Sequence, residues 1–430
     1  MRSMRPPLPE GPYLIVGLAR SGAAAARMLL PYGEVLAADR AHPEPPPGVE
    51  AHLGSDGVQL LERVRCVVKS PGVPNEAPAI ATARERGVPV LGELELAWRL
   101  LPNRFVAVTG TNGKTTTSEL LGAVYREAGL TVAVAGNVGT PLSSLVGVVD
   151  ESAVIVCEVS SFQAEDSEAF APETALLLNL EEDHLDRHGS FDAYREAKLR
   201  MFASQTGEHV AAAPPRFRLP GDGRRVSFGE PETDLWLRDG LLGWGEQQLI
   251  AAADIRLRGA HNLENAMGAA AAALAGGVAP EAVRRGLHTF PGVPHRLEEV
   301  GTVGGVLYVN DSKATNVASA RRGIEAFDGG VHAILGGSLK GGGFGGLRGV
   351  VASRCRACYL IGEAAERLEN DLAGAAPLRR CGDLESAMRA ASSAASPGEV
   401  VLLSPACASF DQFRDYEERG ERFRALIPRA

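Results

Sequence analysis

The chain has 430 residues, room for several domains at roughly 100–200 residues each, and its 45% hydrophobic content is too high for a disordered chain. A formal net charge of -9 argues against a nucleic-acid-binding protein. No apolar run approaches the ~20 residues that span a bilayer, and the Pro- and Arg-rich residues 1–11 lack a signal peptide's apolar core, so a cytoplasmic protein off the membrane is expected.

Strand-like apolar runs alternate with helical patterns, which predicts parallel α/β layers. The first unit is a strand at 13–17, a tight turn and an Ala-rich helix to about Leu30. Strands follow at 34–39 and 64–70, the latter running into Ser70-Pro-Gly-Val-Pro74. A second block holds strands at 105–109, 132–135, 154–159 and 175–179. Residues 214–245, rich in Gly, Pro and Arg, predict a β-rich insertion, and a helix over 262–275 closes the block. Phe290-Pro-Gly-Val-Pro294 has linker chemistry. The third block restarts with strands at 306–310, 333–336, 358–362 and 400–404.

Two compositional features narrow the chemistry. Of six cysteines, only Cys355 and Cys358 form a CxxC, and with no second pair the expectation is buried thiols. Of 44 basic residues only five are lysine: Lys69, Lys114, Lys198, Lys313 and Lys340. A chain that writes arginine almost everywhere points to its lysines as places where a compact ammonium or a reactive amine is needed. All but Lys69 fall inside the motifs below.

In Phe105-Val-Ala-Val-Thr-Gly-Thr-Asn-Gly-Lys-Thr-Thr-Thr117 a strand enters a Gly-rich turn and a helix opens at Lys114. N–H groups at such a helix start cradle phosphates, a lysine neutralises them and a hydroxyl faces Mg²⁺. Gly110, Gly113, Lys114 and Thr115 are in register for this, although Val108 stands where the strict pattern has glycine. Glu158 ends a strand beside the loop, where a carboxylate can hold Mg²⁺ or simply be solvated. Asn179-Leu-Glu-Glu-Asp-His-Leu-Asp-Arg-His188 follows the next strand, where parallel sheets place ligands. There His184 is the candidate imidazole ligand, with Asp183, Asp186 and His188 as supporting residues. Lys198 lies on a helix; its pattern alone reads as a surface lysine.

Late in the chain, Asn310-Asp-Ser-Lys-Ala-Thr-Asn316 follows a strand and opens a helix, which suits anions. Gly336-Gly-Ser-Leu-Lys340 puts an ammonium in a flexible loop, and the Ser409 hydroxyl of Ser404-Pro-Ala-Cys-Ala-Ser-Phe-Asp-Gln-Phe413 can receive a carboxylate. At the other end, Gly17-Leu-Ala-Arg-Ser-Gly22 with Asp39 is similar to a dinucleotide fingerprint, but Ala19 replaces the middle glycine.

These motifs, with His261-Asn-Leu-Glu-Asn265 and Pro294-His-Arg296, resemble the Mur ligase family along nearly the whole chain, in order and spacing most like its D-glutamate-adding member. The resemblance implies an α/β protein of three domains: a UDP-binding Rossmann-like unit at 1–94, a central P-loop ATPase at 95–292 and a Rossmann-like amino-acid-binding unit at 293–430. It implies an ATP-dependent, amide-forming ligase that adds D-glutamate to UDP-N-acetylmuramoyl-L-alanine through an acyl phosphate. Carried over by residue, ATP is held by Gly110, Thr111, Asn112, Gly113, Lys114, Thr115 and Thr116, with Asn265, Arg296 and Asp311. Lys114, Glu158, His184 and Lys198 are the catalytic set. Two Mg²⁺ ions are implied, served by Thr115, Glu158, His184 and a carbamylated Lys198. The UDP substrate falls to Gly17, Leu18, Ala19, Arg20, Ser21, Asp39, Arg40, Ser70 and Asn137. D-Glutamate falls to Lys313, Thr315, Lys340, Ser409, Phe410 and Tyr416, and the working form is expected to be a monomer. The alternatives are another Mur ligase or a folylpolyglutamate-type ligase; an NAD-dependent oxidoreductase, which leaves Lys114 and Glu158 unexplained; and a non-catalytic UDP-sugar-binding protein, which would need a broken ATP site.

Overall fold

A computed structural model describes residues 5–339 and 342–428. The chain divides into two compact units, one of residues 1–255 and 264–290, the other of 256–263 and 291–430.

The first unit begins with five parallel strands: β1 (Tyr13–Val16), β2 (Val35–Asp39), β3 (Glu50–Leu53), β4 (Cys66–Lys69) and β5 (Val90–Gly92). Their order, β3-β2-β1-β4-β5, reverses between β1 and β4, so a crevice opens beyond the C-terminal ends of those two strands. Helix α1 (Arg20–Leu29) follows β1, and its alanines 24, 25 and 26 are buried. Helices α2 (Pro78–Glu85) and α3 (Glu93–Leu100) complete this layer.

The second sheet is also parallel, in the order β11-β10-β9-β6-β8-β7. It comprises β6 (Arg104–Thr109), β7 (Val132–Gly136), β8 (Val154–Glu158), β9 (Thr174–Leu177), β10 (Val210–Ala213) and β11 (Arg224–Ser227). Strands β6, β8 and β9 carry continuous apolar runs, Phe105–Val108, Val154–Cys157 and Ala175–Leu177, as strands buried on both faces do. The helices of this part are α4 (Lys114–Glu127), α5 (Ser161–Ala164), α6 (Leu185–His188), α7 (Phe191–Ala203), α8 (Ala260–Ala275) and α9 (Pro280–Thr289). The expected β-rich insertion is present and runs further than its composition suggested. After β11 joins the central sheet, β12 (Leu235–Arg238), β13 (Leu241–Trp244) and β14 (Gln247–Ala251) form an antiparallel meander.

The second unit carries β15 (Glu298–Val303), β16 (Val306–Asn310), β17 (Val331–Gly336), β18 (Cys355–Ile361), β19 (Leu378–Gly382) and β20 (Val400–Leu403). Their order is β15-β16-β20-β17-β18-β19, parallel except for the β15–β16 hairpin. Its helices are α10 (Val317–Glu325), α11 (Arg348–Arg354), α12 (Ala365–Leu372), α13 (Leu384–Ala394) and α14 (Tyr416–Ala425).

The strands absent from the sequence reading are β10, which lies inside the central sheet but whose Val210-Ala-Ala-Ala213 is mostly alanine, a weak strand former, and four others, β3, β5, β15 and β19. The latter four are all sheet edges, with short or polar sequences such as Glu50-Ala-His-Leu53, so pairing with a neighbour rather than an apolar run makes them strands. The strand expected to reach Asn179 ends at Leu177. The chain leaves the ladder there because Asn179 braces the loop after β6, as described below.

Buried Arg419 ties α14 to the ends of two strands. Its guanidinium, 0% exposed, donates to Ser312 Oγ (3.0 Å) and to the carbonyls of Ser312 (2.8 Å), Cys407 (3.1 Å) and Ala408 (3.2 Å). Burial pushes its pKa down to about 10. Arg419→Met removes the guanidinium donors from these buried acceptors and should destabilise the protein by about 3 kcal/mol. Chemical denaturation checks this, and an unchanged midpoint would refute it.

Candidate active site

A cavity of about 780 Å³ lies at the crevice of the first sheet. It is lined by Gly17, Ala19, Arg20, Ser21, Asp39, Arg40, Ser70 and Asn137, residues singled out from sequence. The turn after β1 is tight: a Cβ on Gly22 would lie 1.8 Å from the Gly17 carbonyl oxygen, so only glycine fits. Ser70 Oγ donates to that same carbonyl at 2.6 Å. Two of the residues expected at the substrate also build the turn itself. Leu18 packs its side chain into the core at 3% exposure and presents only its N–H, which donates to Asp39 Oδ2 at 2.6 Å. Asp39 also accepts from Ala41 N (2.7 Å), so its carboxylate closes the turn. Val73, Phe162 and Gln163 also line the cavity, from segments distant in sequence.

The loop between β6 and α4 is the centre of the second sheet. Gly110 and Gly113 take positive φ, 154° and 83°. Asn179 holds the loop from β9's end: its carbonyl accepts from Thr111 N (3.0 Å) and its Oδ1 from Asn112 N (2.9 Å). Thr111 Oγ1 shares a hydrogen bond with Tyr194 OH (3.0 Å) and accepts from Glu181 N (2.9 Å). Asn265, 3% exposed on α8, lies against Gly113; a Cβ there would meet its Oδ1 at 2.0 Å.

Two amines converge on one carbonyl. Lys114 Nζ donates to the oxygens of Gly110 (2.9 Å) and Thr111 (3.0 Å), and Lys198 Nζ donates to Gly110 O at 2.9 Å. Lys198 is 2% exposed, so it is not the surface residue its helical pattern suggested. Burial first, and the Lys114 charge second, hold its amine well below the usual lysine range.

Glu158, 3% exposed, ends β8 and accepts from Asn137 Nδ2 at 3.0 Å, so Asn137 touches both the first cavity and this carboxylate. His184 takes a left-handed conformation (φ 51°), rare for a non-glycine residue. Its half-exposed ring lies 4.8 Å from Phe162. The His188 side chain is buried, shares a hydrogen bond with Ser161 Oγ (3.0 Å) and stacks on Phe162 (5.3 Å). Among the described residues no group of three or more His, Cys, Asp or Glu stands ready as a metal cluster. Two oxygen donors of the kind a hard cation takes are present, the buried Glu158 carboxylate and the Thr115 hydroxyl, and the His184 imidazole adds a nitrogen donor.

In the second unit, Lys313 Nζ lies over the Tyr416 ring at 4.7 Å, and Thr315 N donates to the Lys313 carbonyl at 2.9 Å. Ser409 is buried at 2% while its neighbour Phe410 is 73% exposed. Lys340 lies outside the described residues. Asp311 is buried, accepting from Ser404 Oγ (2.7 Å) and Leu297 N (3.2 Å), with Arg296 as its nearby positive charge. Burial pushes its carboxyl up to about 7.

Three family models match the chain: Mur ligase MurD-like N-terminal domain at residues 12–92, Mur ligase middle domain at 108–220, and Mur ligase glutamate ligase domain at 295–407. The chain is 44% identical to the UDP-N-acetylmuramoylalanine–D-glutamate ligase of Anaeromyxobacter dehalogenans, covering 96% of both chains. It is 41% identical to the ligase of that name from Acidobacterium capsulatum, over 96% of this chain and 95% of the relative. Among solved structures, the UDP-N-acetylmuramate–alanine ligase of Thermotoga maritima shares the fold, with a TM-score of 0.60 and 17% identity over 96% of this chain and 98% of that one. The MurF ligase of the same organism in complex with ADP also has a TM-score of 0.60, at 18% identity over 98% and 95%.

Gly113→Ala should weaken ATP binding by about tenfold or more, because the new Cβ strains a positive φ and displaces Asn265. Calorimetric titration reads this, and wild-type affinity would refute the role of the turn. Asp311 yields a pH prediction. A carboxyl raised from 3.8 to about 7 on folding contributes stability that is full below 3.8 and lost as pH rises through about 7. Asp311→Asn should therefore gain stability relative to wild type across that window, as read by unfolding midpoints; a constant offset would argue against it.

Proposed function

The chain belongs to the Mur ligase family, and from that premise we infer that it adds D-glutamate to UDP-N-acetylmuramoyl-L-alanine in peptidoglycan precursor synthesis, using ATP and Mg²⁺. The observation that carries the choice of amino acid is identity of 38–44% over 96% of the chain to D-glutamate ligases. The domains are divided at 1–94, 95–292 and 293–430. Nucleotide-linked substrates suit a cytoplasmic enzyme, and every motif of the reaction lies on one chain, which suits a monomer.

In the reaction we propose, the terminal carboxylate of the L-alanyl substrate attacks the γ-phosphate of ATP, releasing ADP and leaving an acyl phosphate. The D-glutamate amine then attacks the acyl carbon, and phosphate departs. The 780 Å³ cavity receives the UDP moiety, with Ser70 and the Gly17–Gly22 turn around it. N–H groups of the 110–116 loop face the ATP phosphates, and Lys114 leaves its resting carbonyls to neutralise them. Asn265, Arg296 and Asp311 serve the nucleotide. Lys313, Thr315, Lys340, Ser409, Phe410 and Tyr416 serve D-glutamate. Thr115 and Glu158 would hold one Mg²⁺, and His184 with Lys198 the other. When bound, Mg²⁺ offsets the charge that builds between the carboxylate and the γ-phosphate.

Lys198 serves as a carbamate in this reading. A protonated lysine has no lone pair to offer a cation. Its amine is already biased toward the neutral form, which is the form that adds CO₂ and becomes a carboxylate on a long arm. Arginine cannot do this, because its guanidinium stays protonated.

Purified enzyme should release ADP in sustained turnover only with both UDP-N-acetylmuramoyl-L-alanine and D-glutamate; equal turnover with L-alanine or a diamino acid would overturn the choice of substrate. Lys198→Arg should lose activity by at least about 100-fold. Wild-type enzyme in ¹³C-bicarbonate should show a carbamate resonance that Lys198→Arg lacks. An active arginine variant, or the same spectrum for both, would exclude the carbamate.

A further inference from the structure

Lys69 has no part in the reaction above, yet it is 0% exposed. It ends β4 one residue before Ser70, and its Nζ donates to Asp166 Oδ2 at 2.6 Å and Glu165 Oε1 at 2.9 Å. Both carboxylates lie just after α5. Glu165 Oε1 also accepts from Arg187 Nη2 at 3.0 Å, and the same Nη2 donates to the Val73 carbonyl at 2.7 Å. The Arg187 guanidinium stands 5.3 Å from the centre of the Phe162 ring.

These bonds fasten three pieces together. One is the Ser70–Pro74 wall of the first cavity, the second is α5, and the third is α6, which follows His184 directly. Val73 and Phe162 both line the cavity, and His184 packs on that same Phe162. Three cations face the two carboxylates, Lys69 and Arg187 together with the more exposed Arg84, whose Nη2 reaches Asp166 Oδ1 at 3.4 Å, so both carboxylates are compensated. A buried ion network is a poor source of stability, since apolar side chains of like volume hold a core as well or better. What it supplies is direction: each donor is satisfied in one arrangement of wall, helix and turn. Glu165 and Arg187 also border a second cavity of about 570 Å³, so water can enter when either is shortened.

We propose that Lys69 and Arg187 are positioning residues for the UDP substrate: acting through Glu165, they hold the Val73 wall and Phe162 in register with the turn that carries His184. The proposal rests on reading the first cavity as the UDP-substrate site. Arg187 thereby links occupancy of that cavity to the placing of His184 without touching either the substrate or a cation.

The test is calorimetric binding of UDP-N-acetylmuramoyl-L-alanine to nucleotide-free, metal-free enzyme, beside steady-state kinetics. Arg187→Met should weaken substrate binding by about tenfold, the scale of one charge-assisted hydrogen bond, with affinity for ATP unchanged. Arg187→Lys, which keeps one charged donor, should recover most of the loss. Because both cations act through Glu165, Lys69→Met and Arg187→Met together should cost little more than either alone. Substrate affinity of folded Arg187→Met within twofold of wild type overturns the proposal, as do strictly additive losses. If Lys69→Met does not fold, the comparison of Arg187→Met with Arg187→Lys decides it. Failure of wild-type enzyme to bind this substrate would instead overturn the reading of the cavity.

Discussion

Two lysine amines share the Gly110 carbonyl, and much of the surrounding structure follows from where that carbonyl sits. It lies at the end of β6, the central strand between β8 and β9, in a turn whose glycines take φ values closed to other residues. Parallel pairing brings the ends of β8 and β9 beside it, and with them Glu158 and the segment leading to His184. Lys198 reaches the same point from α7, buried, with a second positive charge next to it. Both causes act in one direction, holding the amine's pKa below the usual lysine range.

The turns around this point are held by polar side chains with more than one duty. Asn179 supports Thr111 and Asn112 from the end of β9. Asn137 bonds Glu158 and lines the first cavity, so one short side chain separates the two sites of the first unit. Asp39 stands where a dinucleotide-binding fold would offer a carboxylate to a ribose, but here it accepts from Leu18 and Ala41 and shapes the turn. Such economy is expected at the switch point of a doubly wound sheet, where few side chains can reach the crevice.

The second unit uses the same sheet geometry with a different chemistry at its strand ends. The chain after β16 and the chain after β20 are tied together by Ser404 on Asp311 and by Arg419 on Ser312, Cys407 and Ala408. This frame is buried and hydrogen-bonded, while Phe410 beside it is open to solvent. Rigid support under an accessible loop is the arrangement that small-ligand recognition needs.

The sequence by itself determined the features written into short stretches of chain. The apolar run of β6, the Gly-Lys turn and the helix opening at Lys114 are neighbours along the backbone, so their periodicity and turn chemistry were readable directly. The scarcity of lysine singled out Lys69 and Lys198, though not what either would touch. Only the tertiary structure decided that Lys198 is buried next to Lys114, that Lys69 meets Asp166 at a separation of 97 residues, and that Arg187 caps Val73. It also decided β3, β5, β10, β15 and β19, whose sequences carry little strand signal of their own. The reason is common to all of these. Periodicity and turn chemistry report a residue's neighbours along the chain, whereas burial, ion pairing and strand pairing depend on which distant segment the folded sheet brings alongside.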